Sequence, residues 1–427
     1  MKHIKRFELF EMAMGVPEGN VKMANLAYQR VLDITDEEIS ELLEGEEGET
    51  VRLTIPGQFQ INDFKFNVVT IDITVEESDS LYKKGEGPAL AGMSFKDKPE
   101  IEKKGNKFFF ISSSKGVVSL GITIAVPFRD MEPGDLREFI ESKKVQMIAS
   151  LSHEFKHAYD TFKKPISKAS DRTEYTAFNE VCFGIKPIDA FFYQLYFTTT
   201  VENLVRPSEL AGAIDAGEID KEKFMDFLKD NRTYKELRKI LDYVPELNDP
   251  EKRLTPEEIG RIGYATMKSE LLKDVDLIRK RLRDSDIDDP DSDEAVVDFI
   301  LELAYKNLRD AKINVLHSFL MRYDPSNIIK QMLGLKVSFE YLDEYVEKIT
   351  YKNHKDFFEN EIKRFIFVSN KLIKKISKLY DMAKDVNVNP LHTKITAKGK
   401  GQKNESILDW ELWQEINGIK PNIKKIK

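Results

Sequence analysis

At 427 residues the chain is long enough for two or three domains with cores of their own. Hydrophobic residues make up 41% and charged residues 33%, so the chain reads as globular with a well-solvated surface, and no apolar run approaches the roughly 18–20 residues needed to span a bilayer. A net charge of −8 argues against a general nucleic-acid binder, and a single cysteine, Cys182, rules out an intramolecular disulfide.

The N-terminus begins "MKHIKRFELFEMAMG", where Glu8 and Glu11 interrupt the apolar part and argue against a secretory signal. Residues 1–50 read as a helical leader with acidic turns. From Val51 the texture changes. "VRLTIPGQFQINDFKFNVVTIDITVEES" is rich in β-branched and aromatic residues and alternates in places, which predicts strands. "YKKGEGPALAGMSFKDKPEIEKKG" reads as loop, and "NKFFFISSSKGVVSLGITIAVP" as two further strands turning at Gly116. After Pro127 the pattern becomes helical. "GDLREFIESKKVQMIASLSHEFKHAYDTF" divides into two helices near Ser142, "IDAFFYQLYFTTTVENLVR" predicts a third ended by Pro207, and "PSELAGAIDAG" starts another. Residues 216–386 read as charged amphipathic helices broken at Pro245, Pro250, Pro256, Pro290 and Pro325. Residues 387–427 form a lysine-rich tail with the composition of a solvated terminus.

One helix carries a chemical pattern. In "IASLSHEFKHAYDTF" (148–162), His153 and His157 are four apart, so both imidazoles project from one face and can reach one ion. Glu154 sits about 100° round the helix, outside easy reach of the same coordination shell but within reach of a water on the metal, which is where a general base belongs. Leu151, Phe155, Ala158, Tyr159 and Phe162 form a core-facing stripe, while Ser150, His153, His157, Asp160 and Thr161 form a polar face without lysine or arginine. A surface helix with incidental histidines is the plainer reading of the same residues. Catalytic zinc takes three protein ligands, and the next histidine is His317, so a carboxylate is expected as the third. Glu174, Glu180, Glu202 and Glu209 compete for that place.

"HEFKHAYD" resembles the active-site helix of zincin metallopeptidases of the glutamate-ligand (gluzincin-like) branch. Compact members of that group, many encoded by bacteriophages and bacteria, carry the third ligand in an aromatic-small-Thr-x-x-Glu-x-x-small-Arg stretch, which "YFTTTVENLVRP" resembles. The resemblance implies Glu202 as ligand, with Arg206 orienting it. Val205 departs from the alanine usual there. Glu174, in a Glu-x-x-Ala form with Ala177, stands second. Glu209, just after Pro207, reads equally as a helix cap. The resemblance covers about residues 117–212 and implies a sheet above the active-site helix, whose edge strand holds extended substrate.

The expected fold is α+β. A zincin-like catalytic core over residues 51–215 follows the leader and precedes a large helical region. The expected function is zinc-dependent peptide hydrolysis with Zn²⁺ on His153, His157 and Glu202 and Glu154 as base; Tyr159, Tyr175 and Arg206 are candidates for oxyanion stabilisation. A non-catalytic structural or interaction protein, such as a phage-particle component on a zincin-like scaffold, is the alternative. The partners expected are a protein or peptide substrate and a larger assembly through the helical region, with no membrane or nucleic acid, in a cytoplasmic or virion-associated setting. The acidic run from Asp284 to Glu294 lacks the glycine and glutamate of a calcium loop and reads as an interhelix loop that caps the helix beginning near Glu294; Cys182 reads as a small buried residue.

Overall fold

A computed structural model describes residues 20–44, 50–61, 64–77, 89–94, 100–105, 107–111, 117–126, 131–163, 177–178, 181–220, 222–249, 252, 254–284, 291–323 and 351–377. The chain is α+β and mostly helical, and divides into two compact units. The first takes residues 1–168 and 204–227, the second residues 169–203 and 228–427. The lysine-rich tail lies outside the described residues, as do Glu174, Tyr175, Glu180, Pro250, Pro290 and Pro325.

The first unit is built on a four-stranded sheet in the order β1-β2-β6-β3. β1 (Val51–Ile61) runs antiparallel to β2 (Phe64–Glu77), β2 parallel to β6 (Val117–Val126), and β3 (Ala89–Ser94) antiparallel to β6. Period-two alternation decides which face is buried. Val69, Ile71, Ile73 and Val75 of β2 and Ile122, Ile124 and Val126 of β6 all point into the core. Helices α1 (Asn20–Leu32), α2 (Asp36–Glu44), α3 (Pro133–Ser142) and α4 (Lys144–Lys163) contribute to the same core through Ala27, Tyr28, Val31, Ile39, Leu136, Ile148, Leu151, Phe155 and Ala158. Pro56 lies on edge strand β1 beside a one-residue bulge before Phe59, where its missing N–H does least harm.

Two strand expectations change. The segment read as loop contains β3 and also β4 (Glu100–Lys104); "ALAGMS" has no β-branched residue to mark it, so pairing with β6 makes the strand rather than propensity. β5 (Lys107–Ile111) pairs with β4 in a separate hairpin, so β5 and β6 are not the two arms of a turn at Gly116.

The helix pair α3 and α4 breaks at Lys143, beside the expected Ser142. Pro133 at the first turn and a reciprocal Glu132–Asp135 capping box start α3. Further along, the expected helix over 188–206 is two helices. α5 (Lys186–Phe197) stops at Thr198 and Thr199, whose hydroxyls turn back onto the carbonyls of Gln194 (3.1 Å) and Tyr196 (2.9 Å). α6 (Thr200–Ala216) then runs straight through Pro207. An interior proline costs about 3 kcal/mol. Burial of Val205, Leu210, Ala211, Ala213 and Ile214 on that helix outweighs it. Glu209 is therefore mid-helix and not a cap.

In the second unit, Phe191 and Phe192 of α5 pack on Phe357 and Phe358 of the helix His354–Ser377, with Phe191 and Phe358 centroids 5.4 Å apart. The helix Pro256–Lys273 starts with a Thr255–Glu258 capping box and Pro256 in its first turn, as its sequence signals. Ser292 caps the helix Asp293–Tyr323 by accepting from the Ala295 amide at 3.2 Å, in line with the capping role read for the acidic run. Cys182 is exposed, not buried. No helix among the described residues is long and apolar enough to cross a membrane.

Gly260 lets the helices Pro256–Lys273 and His354–Ser377 approach closely, since a Cβ there would lie 2.8 Å from the Glu359 carbonyl oxygen. Backbone cannot swing aside as a side chain can. Gly260→Ala is expected to lower stability by about 1–3 kcal/mol, read from the midpoint of urea unfolding; an unchanged midpoint would show that the helices separate freely.

Candidate functional site

Helix α4 buries Leu151, Phe155 and Ala158 and thereby fixes its rotation about its own axis. With that face inward, His153 and Glu154 are 8% and 9% exposed and His157 is part-buried. The Nε2 atoms of His153 and His157 stand 3.1 Å apart, with ring centroids 4.7 Å apart and planes at 73°. Glu154 Oε1 lies 4.0 Å from His153 Nε2. Ligand-capable atoms of these three residues fall within 4.8 Å of one another, the only such trio among the described residues. The sequence therefore anticipates a juxtaposition that the fold makes.

The other nitrogen of His153 faces α6. Its Nδ1 is 3.2 Å from Glu209 Oε2, and Arg206 Nη1 is 2.6 Å from the same oxygen. Burial alone would push the Glu209 carboxyl up. The Arg206 charge and the contacts from His153 and Arg206 outweigh it and hold the group at about 2. An ionised carboxylate can only accept, so His153 Nδ1 carries a proton, and in the neutral imidazole Nε2 then presents a lone pair. That lone pair points towards His157.

Two imidazole nitrogens at about 2.0–2.1 Å from a tetrahedral ion lie about 3.3 Å apart, against 3.1 Å here. A carboxylate on the far nitrogen of a ligating histidine is also the usual outer support of such sites. The donor chemistry and the spacing thus fit zinc.

Glu209, read from sequence as a competing ligand or cap, is placed instead on the back of His153. Sequence reasoning missed this role. The available signal was the Arg206–Glu209 pair, three apart in a stretch otherwise made of small and apolar residues. Arg206, expected to orient Glu202, donates to Glu209. Glu202 belongs to the second unit, where it is fully buried and accepts from the Tyr196 hydroxyl at 3.4 Å. Lys156, within the motif, is also buried and pairs with Asp160 one turn on, its ammonium 5.3 Å above the Tyr159 ring.

Because the folded Glu209 value lies below the ordinary 4.5, this carboxylate stabilises the metal-free protein above that pH and loses its contribution as pH falls towards about 2. Glu209→Gln should unfold about 2 kcal/mol more easily than wild type at neutral pH. The gap should close between pH 4.5 and 2. Urea unfolding of both proteins at pH 7 and pH 3 measures it, and an equal gap at the two values would disprove the pairing.

Comparison with protein-family models, with curated proteins and with solved structures finds no match to this chain.

Proposed function

We propose that this chain is a zinc-dependent metallopeptidase with a zincin-like catalytic core. The observation that carries the reading is the pair of converging Nε2 atoms of His153 and His157, with one ring oriented by an ionised carboxylate and Glu154 beside them. A purely structural metal site has no use for a base at that place. The order of strand, helix, HExxH helix and glutamate-bearing helix, with antiparallel edge strand β3 lying against α4, supports the same reading.

In this proposal His153 and His157 would hold the ion, with Glu202 as the third ligand that the sequence resemblance implies. Glu202 rests on the likeness of "YFTTTVENLVRP" to the ligand stretch of compact zincins alone. A bound zinc supplies a water acidic enough to ionise near neutral pH and a positive charge that polarises a carbonyl. Glu154 takes the proton of the attacking water and returns it to the leaving amine. Glu209, fixed by Arg206, keeps the Nδ1 proton of His153 in place so that Nε2 stays free to ligate. Among the described residues β3 is an edge strand of the sheet, and its outer main-chain groups would be offered to an extended peptide.

The test separates ligand from base. Purified protein should carry close to one zinc per chain, and His153→Ala and His157→Ala should each abolish it by elemental analysis. Glu154→Gln should retain zinc and melt normally while cleaving a peptide library about 10²–10⁴-fold more slowly. Wild-type turnover by Glu154→Gln would overturn the mechanism. Full zinc content in Glu202→Ala would remove Glu202 from the ligand set and leave the rest standing.

A further inference from the structure

Behind the histidine pair lies a buried polar junction that no catalytic role uses. Asn20, Ser152 and Ser208 are all 0% exposed. Ser208 Oγ donates to the Ser152 carbonyl at 3.0 Å. The Asn20 amide spends both protons here, one on the Ser152 carbonyl at 2.7 Å and one on Ser208 Oγ. The Ser152 carbonyl can only accept, so the Asn20 side chain cannot be turned the other way. The three groups close a triangle tying α1, α4 and α6 together.

Its place in the sequence matters more than its energy. Ser152 immediately precedes His153, and Ser208 immediately precedes Glu209. The bond between the two serines therefore sets the register of α4 against α6 one residue before the point where His153 meets Glu209. One turn further along α6, Gly212 allows the approach, since a Cβ there would meet the Ile148 carbonyl oxygen at 2.9 Å. An apolar filler could stabilise three helices equally well, but it would slide. Directional bonds to a fixed carbonyl specify one register.

We infer that Asn20 is a positioning residue for His153: from a helix more than a hundred residues upstream it locks the α4–α6 register that brings Nδ1 of His153 onto Glu209. Asn20 touches neither ion nor substrate. Its effect passes through Ser152 and Ser208 to the orientation of one imidazole. The part of this inference that concerns zinc rests on the peptidase reading; the part that concerns the imidazole does not.

The experiment compares Asn20→Ala with Val31→Ala, a buried apolar truncation on the same helix, in the full chain. Two quantities are read besides thermal stability. One is the zinc dissociation constant by competition with a chromophoric chelator. The other is the ¹⁵N signature of the His153 ring in metal-free protein, which reports whether Nδ1 holds its proton. Asn20→Ala is expected to weaken zinc on the order of tenfold and to shift the His153 ring signals towards a mixture of tautomers. Val31→Ala is expected to lower the melting temperature while leaving both unchanged. Wild-type zinc affinity and ring signals in Asn20→Ala, or equal changes in Val31→Ala, would overturn the inference. Asn20→Ser, which keeps a donor in the same space, decides the matter if Asn20→Ala does not fold. If wild type binds no zinc, the peptidase reading fails, and the ring signals alone still judge Asn20.

Discussion

The Nε2 atoms of His153 and His157 stand 3.1 Å apart, close enough for one ring to donate to the other or for both to face one ion. The rest of the first unit decides which nitrogen of His153 carries its proton. Glu209 claims the Nδ1 proton of His153, and Arg206 keeps Glu209 ionised so that the claim holds at neutral pH. The burial of α4, the length of α6 and the placement of Asn20 all serve to hold one nitrogen where it is electron-rich.

The motif could be read from sequence because helix geometry is local. His153, Glu154 and His157 fall on adjoining faces of any α-helix, and the stripe of Leu151, Phe155 and Ala158 says which way that helix turns. Caps are local as well: Thr255 with Glu258 and Pro256 announces a helix start that the fold keeps. The alternation of Val69, Ile71, Ile73 and Val75 likewise marks a half-buried strand before any partner is known.

What escaped the sequence is what depends on distant chain. β3 has the composition of a loop and becomes a strand only because β6 offers it an edge. Pro207 should stop a helix, yet the apolar residues on either side of it are worth more in the core than the hydrogen bond it lacks. Glu209 looks like any helix glutamate until α4 brings His153 to it, and Asn20 has no local feature at all. Each case is a tertiary contact overruling a local preference, and two of them sit beside the candidate site.

The discontinuity of the first unit has a consequence for its synthesis. The chain leaves this unit after residue 168, contributes residues 169–203 to the other one, and returns for residues 204–227. On the ribosome, the sheet and α4 emerge well before Ser208, Glu209 and Gly212. At roughly 5–20 residues per second, the imidazoles wait several seconds without the helix that orients them. During that interval the contacts of Ser152 with Ser208 and of His153 with Glu209 are not yet available. His153 therefore meets its carboxylate partner only once the chain's second visit to the first unit is complete.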